Sequence, residues 1–182
     1  MTSDAAEVMH STPVYQSVAG VAGSGTRHLL VSQAMNLNEA TELYRRLSAD
    51  GAPPQHLFLD EKHGYGGARA LECLAIRLRS LLSTAAVGTR LYVCGDESFL
   101  WQVHRMACAG GLQSNEITMI RSGQRRDLYC VHCSTLQHIG QQQQVRCGGC
   151  GVRLLVREHF SRRLGAYMGV CADPEQPWEE AS

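Results

Sequence analysis

Leu91-Tyr92-Val93-Cys94-Gly95-Asp96 is an apolar run that passes straight into a glycine and an aspartate. A short apolar run bounded by turn residues reads as a strand buried on both faces, and Gly-Asp both turns the chain and caps a helix. Leu100, Val103 and Ala107 then recur at helical spacing until Gly110-Gly111 ends the pattern. The same alternation extends outward. Upstream, Leu71, Leu74, Leu78, Leu81 and Leu82 predict a helix over about 68–82, with Arg69, Arg77 and Arg79 elsewhere on it and Val87-Gly88 as its break. Leu57-Phe58-Leu59 precedes it as a strand. Ala40, Leu43 and Leu47 share the face of a helix that begins near Asn38 and stops at Asp50-Gly51 before Pro53-Pro54, and His28-Leu29-Leu30-Val31 is the first strand. Downstream, Glu116 to Ile120 gives a fourth strand. Alternating strands and helices with short connections define an α/β fold with a mostly parallel sheet covered on both faces.

After Ser122-Gly123 the composition shifts to cysteine, glutamine and arginine, which places a boundary near residue 124. Cys130-Val131-His132-Cys133 and Cys147-Gly148-Gly149-Cys150 are two Cys-x-x-Cys knuckles with thirteen residues between them. A two-residue gap lets a tight turn aim both sulfurs at one point, and two such turns close a tetrahedron around one metal ion. Four soft thiolates favour zinc or a single iron over magnesium, calcium or square-planar copper. A β-ribbon with a turn at Gly140 fits the gap, and Gln137 to Gln144 reads as its polar loop. His132 and His138 lie nearby, but four cysteines already fill a closed site. Such a site admits no substrate, so its metal is structural or passes electrons. A thioredoxin-like role for one pair leaves the other unexplained.

The chain has 182 residues, 44% of them hydrophobic, and 18 glycines, which suits one mid-sized domain with a small appendage. No apolar stretch is long enough for a membrane span and the N-terminus has no signal-peptide pattern, so a cytoplasmic protein is expected. Eight cysteines in a chain with this much core do not need a disulfide reading. Cys73, Cys94 and Cys108 read as small buried hydrophobes, and Cys171 has no assigned role. The expected organisation is a flexible extension over 1–25, an α/β domain over 26–123, a four-cysteine ribbon with a docking segment over 124–171, and an acidic tail over 172–182. Net charge is zero, yet residues 121–171 carry eight arginines against Asp127 and Glu158, about +6. That asymmetry fits an acidic partner or a basic surface shielded by the chain's own tail.

The stretch from Gly88 to Phe99, with its strand ending in Cys94-Gly95, resembles the Rossmann-like nucleotide-binding domain of the ferredoxin-reductase superfamily, and the cadence continues through Gly111-Leu112 to Glu116-Ile117. Where those reductases have a glycine-rich loop after the first strand, this chain reads Val31-Ser32-Gln33-Ala34-Met35-Asn36-Leu37-Asn38-Glu39. Without glycines the backbone cannot approach a pyrophosphate, and Glu39 adds a negative charge, so the resemblance implies a reductase-like scaffold without dinucleotide binding. The C-terminal segment, Tyr129-Cys130-Val131-His132-Cys133, Cys147-Gly148-Gly149-Cys150-Gly151 and Leu154 through Val170, resembles the A subunit of dimethylamine monooxygenase. With the α/β half, that resemblance covers the chain from about His28. It implies a multi-subunit, haem-containing oxygenase that demethylates dimethylamine with NADPH and oxygen. Haem, flavin and iron–sulfur cluster would then sit on partner subunits. The part expected of this chain is a mononuclear centre on Cys130, Cys133, Cys147 and Cys150, iron of rubredoxin type rather than zinc, together with part of the assembly interface.

Nothing in the chain pairs a nucleophile with a base or places two catalytic carboxylates together, so an electron-relaying or non-catalytic subunit is expected. Arg157, His159, Phe160, Arg162, Arg163, Tyr167 and Met168 form either a basic-aromatic docking patch or an amphipathic strand and turn folded on the ribbon. His159 alone is weak evidence for a haem ligand. The alternative of another class is a zinc-ribbon adaptor that binds protein or nucleic acid through the arginine-rich segment. The absence of lysine there, the acidic tail and the sparse aromatics count against nucleic acid. An active NADPH reductase is disfavoured by the missing glycines.

Overall fold

A computed structural model describes residues 12–33, 37–49, 51–59 and 67–175. They fall into two units, Tyr15–Arg125 and a second made of residues 12–14 with 126–175. No helix among them is long and apolar enough to cross a membrane.

In the first unit, strands β1 (Arg27–Gln33), β2 (Gln55–Leu59), β3 (Thr89–Gly95) and β4 (Ile117–Arg121) alternate with helices α1 (Leu37–Ala49), α2 (Gly67–Leu82) and α3 (Glu97–Ala109). All neighbouring strands are parallel and the order is β2-β1-β3-β4. Successive side chains on a strand point to opposite faces, and both faces of this sheet are apolar. Leu29, Val31, Leu91 and Val93 face Leu74 and Leu78 of α2 and Leu100 and Val103 of α3. Leu30, Tyr92, Cys94 and Ile120 face Ala40, Leu43 and Leu47 of α1. The apolar stripes read from the sequence therefore do become the core. Asp96 caps α3, its side chain accepting from the Phe99 amide, a contact worth about 1 kcal/mol.

Several expectations change. Asn38 lies inside α1 rather than capping it, because the helix already includes Leu37, and Asp50 lies outside the described residues. Cys73 is exposed, not a buried hydrophobe: one position from Leu74, it is rotated about 100° off the buried stripe. Cys94 is buried and Cys108 half-buried. Of the 1–25 extension, the first eleven residues lie outside the described set, but Tyr15 hydrogen-bonds Glu97, the Gln16 amide donates to the Met119 carbonyl, and Val18 and Val21 pack against the α1 core.

The second unit is a five-stranded sheet of β5 (Arg126–Cys130), β6 (Leu136–Ile139), β7 (Gln144–Arg146), β8 (Arg153–Ser161) and β9 (Ala166–Cys171), in the order β6-β5-β9-β8-β7. β5 and β9 are parallel, and the other pairs are antiparallel. The chain does turn at residues 140–143, but β6 and β7 pair with β5 and β8 and not with each other. The two edge strands are thus joined by a loop that reaches at most about 17 Å, whereas the edges of a flat five-stranded sheet stand about 19 Å apart. The sheet must curl. Arg126 holds that loop, donating to the Gly140 and Gln142 carbonyls from a position 4.9 Å over the Tyr167 ring.

Candidate metal centre

Strand directions place both knuckles at one end of the curled sheet. β5 runs parallel to β9, and β7 runs the same way because β8 is antiparallel to both of its neighbours. The Cys130–Cys133 knuckle turns the chain from β5 into β6, and the Cys147–Cys150 knuckle turns it from β7 into β8. Each hairpin tip therefore presents two sulfurs, and β9 sets the spacing between the hairpins. The four Sγ atoms all lie within 4.8 Å of one another. Cys133 to Cys147 is 3.6 Å and Cys130 to Cys150 is 3.9 Å. A tetrahedron of metal–thiolate bonds of about 2.3 Å has edges of about 3.8 Å, so the four cysteines are positioned to bind a metal ion.

Backbone amides face the sulfurs, as they must if charge is to accumulate there. The Gly149 amide donates to Cys147 Sγ at 3.4 Å. Amides of His132 and Cys133 serve Cys130, that of Thr135 serves Cys133, and that of Val152 serves Cys150. The sulfurs are nevertheless unequal. The Thr135 hydroxyl, 3.1 Å away, and the Thr135 amide draw the Cys133 thiol down to about 6. At Cys150 the Val152 amide pulls downward, but desolvation and the three neighbouring sulfurs outweigh it and push the thiol up to about 12. Burial raises Cys130 as well. The chain can therefore supply the Cys133 thiolate readily and gives up the Cys130 and Cys150 protons only to a cation. The burial is uneven too: Cys130 and Cys147 are buried, while Cys133 is exposed.

The supporting residue that the sequence hid is Gln137. It belongs to β6 and not to a loop, its side-chain amide donating to the Arg146 carbonyl and its oxygen accepting from the Gly148 amide at 2.8 Å. One side chain on the first hairpin thus braces the second knuckle. A polar residue beside a run of glutamines carries no sequence signal for this. Gln144 likewise lies in β7. His138 is turned away, its Nδ1 2.5 Å from the buried Asp127 carboxylate.

The expected basic-aromatic patch is divided. Phe160 and Tyr167 are buried and meet edge to face at 5.0 Å, so they are core of the second sheet and not a surface. Arg157, His159, Arg162 and Arg163 are exposed, and Met168 is half-buried. Between the pairs Val156↔Gly169 and Phe160↔Tyr167, β8 has three residues where β9 has one, a bulge that turns Arg157, Glu158 and His159 outward.

At the carboxyl ends of β1 and β3, the Gln33 side chain is bonded to Asp96 in both directions: its oxygen accepts from the Asp96 amide and its nitrogen donates to the carboxylate. Gly95 has no room for a side chain, since a Cβ there would lie 2.4 Å from Phe99 and 2.9 Å from Gln33. Asp96 pairs with Arg125 at 3.0 Å, and the buried Glu97 accepts from Tyr15 and lies 3.7 Å from Arg121. Ala34, Met35 and Asn36 of the glycine-free loop lie outside the described residues.

An all-parallel α/β unit followed by a curled sheet with four convergent cysteines defines a two-part protein with a candidate metal site. Residues 7–117 match the family described as dimethylamine monooxygenase subunit DmmA-like, N-terminal domain, and residues 127–170 match its C-terminal domain. The chain belongs to this DmmA-like family. It is 38% identical over 180 residues, covering 98% of both chains, to the heme-dependent oxidative N-demethylase delta subunit of Ectopseudomonas mendocina (strain ymp). Among solved structures, full-length CYP116B46 from Tepidiphilus thermophilus aligns at 12% identity with a TM-score of 0.36, covering 68% of this chain. This chain spans 20% of that one, and a likeness at that level carries no argument.

Proposed function

We propose that this chain is a subunit of a multi-component, haem-dependent monooxygenase that demethylates dimethylamine or related secondary amines. In it, Cys130, Cys133, Cys147 and Cys150 hold one metal ion for electron relay and assembly. The observation that carries the reading is the convergence of four amide-supported sulfurs at tetrahedral spacing, one of them exposed. Iron is favoured over zinc by the resemblance, and a single iron in four thiolates supplies one-electron exchange. The protein's own part is to fix the four ligands, direct amides at their charge, and leave Cys133 at the surface. Haem, flavin and iron–sulfur cluster belong to partner subunits.

The α/β domain over 26–123 serves as scaffold, the ribbon and docking segment over 124–171 as the working part, and 172–182 as an acidic tail. Strand order and helices on both sheet faces support a Rossmann-like, reductase-related origin. Gln33 and Phe99 fill the space against Gly95, and Asp96 and Glu97 put buried acids beside it, so these residues do not fit a dinucleotide pyrophosphate. A cytoplasmic location completes the reading. The test is metal content with a visible spectrum, on the full chain and on its native complex, both purified without added metal. About one iron per chain, with thiolate charge-transfer bands that bleach on reduction, is the expected result. Zinc without colour would remove the relay and leave assembly alone, and a metal-free chain would overturn the centre itself.

A further inference from the structure

The end of the second sheet that carries the knuckles has an unusual surface. Val131 and Leu136, on either side of the first knuckle, are 46% and 49% exposed, and Cys133 between them is exposed too. Across from them, β7 and β8 place Arg146 directly opposite Arg153 at the base of the second knuckle. Like charges facing each other across two strands destabilise the pair unless something anionic is near. Arg146 donates to the Gly151 carbonyl, but neither arginine has an acidic partner among the described residues. From residue 128 to 157 the sequence contains no aspartate or glutamate, and three arginines.

Resting on the proposed function, we infer that this tip is a docking face for a partner subunit with an acidic rim and an apolar centre. Val131 and Leu136 would supply the apolar contact around Cys133, and Arg146 and Arg153 the charge that steers the partner's carboxylates. Exposed aliphatic side chains on both sides of Cys133 give the tip a small apolar centre, and a desolvated contact there would bring the partner within the shortest distance of that thiolate. Arg146 and Arg153, which have no acidic partner among the described residues, give the contact its sign and make association sensitive to salt.

The test uses the full, metal-loaded chain immobilised and the demethylase subunits of the same organism as the probe. Binding is measured at about 50 and about 300 mM salt. Arg146→Glu with Arg153→Glu is expected to weaken binding at low salt at least about tenfold and to reverse its salt dependence, while metal content and spectrum stay unchanged. Val131→Ser with Leu136→Ser, which touches no charge, weakens binding at both salt levels. If the wild type associates and the variants associate equally well, the docking face is wrong and the proposed function stands. Loss of metal from the arginine variants with unchanged affinity would assign those residues to the thiolate charge instead. Tighter binding of the tip to a single-stranded oligonucleotide than to the subunits would also overturn the inference. A wild type that binds none of the subunits removes the proposed function, and the docking face with it.

Discussion

The two units are held together by different means. In the first, a four-stranded sheet is covered on both faces by leucine- and valine-rich layers, and nearly every strand residue from Leu29 to Gln33 and from Leu91 to Gly95 is buried. In the second, a single curled sheet encloses a smaller interior around Leu128, Leu154, Phe160 and Tyr167, and two buried cysteines stand where further apolar side chains would otherwise be. A small sheet of this kind buries too little surface to offset chain entropy by itself, and on the proposed function a tetrathiolate metal at its end would contribute about 10 to 16 kcal/mol if the ion is zinc. Apolar layering carries the first unit, whereas the second adds four convergent cysteines placed to take a metal.

The largest effect should come from breaking the second unit alone. Cys147→Ser, or chelation of the wild type, is expected to abolish stoichiometric metal binding and to broaden the amide NMR signals of residues 126–175, leaving those of β1 to β4 in place. Loss of both sets together would make the units interdependent. The converse is Leu100→Ala, which empties a fully buried position between α3 and the sheet. It should destabilise the first unit by about 2–5 kcal/mol in urea unfolding, with the metal content unaltered. A third contrast is pH. Cys133 titrates near 6, but Cys150 is pushed up to about 12 and Cys130 is raised, so near neutral pH the metal must displace at least two protons. Raising the pH therefore favours binding, by at least about 100-fold in affinity per unit between pH 7 and 8, as read by competition with a chelator; the first unit's stability should not follow that slope. The smallest effect is the most local. Gln137→Ala should lower metal affinity about tenfold and speed release, without changing the urea midpoint of the first unit.

How much of this was legible in the sequence follows the same division. Each strand and helix of the first unit left an apolar signature of its own period, and Asp96 marked the cap of the helix that begins at Glu97. Cysteine spacing identified the four sulfurs that converge. Missing were the features fixed by pairing rather than by spacing. Gln137 looked like the start of a polar loop because its role depends on Arg146 and Gly148 lying opposite. Phe160 and Tyr167 fitted either a surface patch or a strand folded on the ribbon, and the structure bears out the second for both: the two extra residues of the β8 bulge preserve the inside–outside alternation while carrying Arg157 to His159 away from the sheet. The facing of Arg146 and Arg153 needed the register of β7 against β8, which no local pattern encodes.

The central position of β9 also has a consequence for how the molecule is made. Both knuckle hairpins, β5–β6 and β7–β8, precede it in the chain, yet it is β9 that lies between them. During synthesis the two halves of the cluster exist as separate hairpins before the strand that fixes their separation has emerged. Each then offers only a pair of sulfurs to any ion it meets. On the proposed function, loading with all four ligands therefore follows the insertion of β9, and a metal captured earlier by one hairpin would have to survive, or be exchanged during, that insertion.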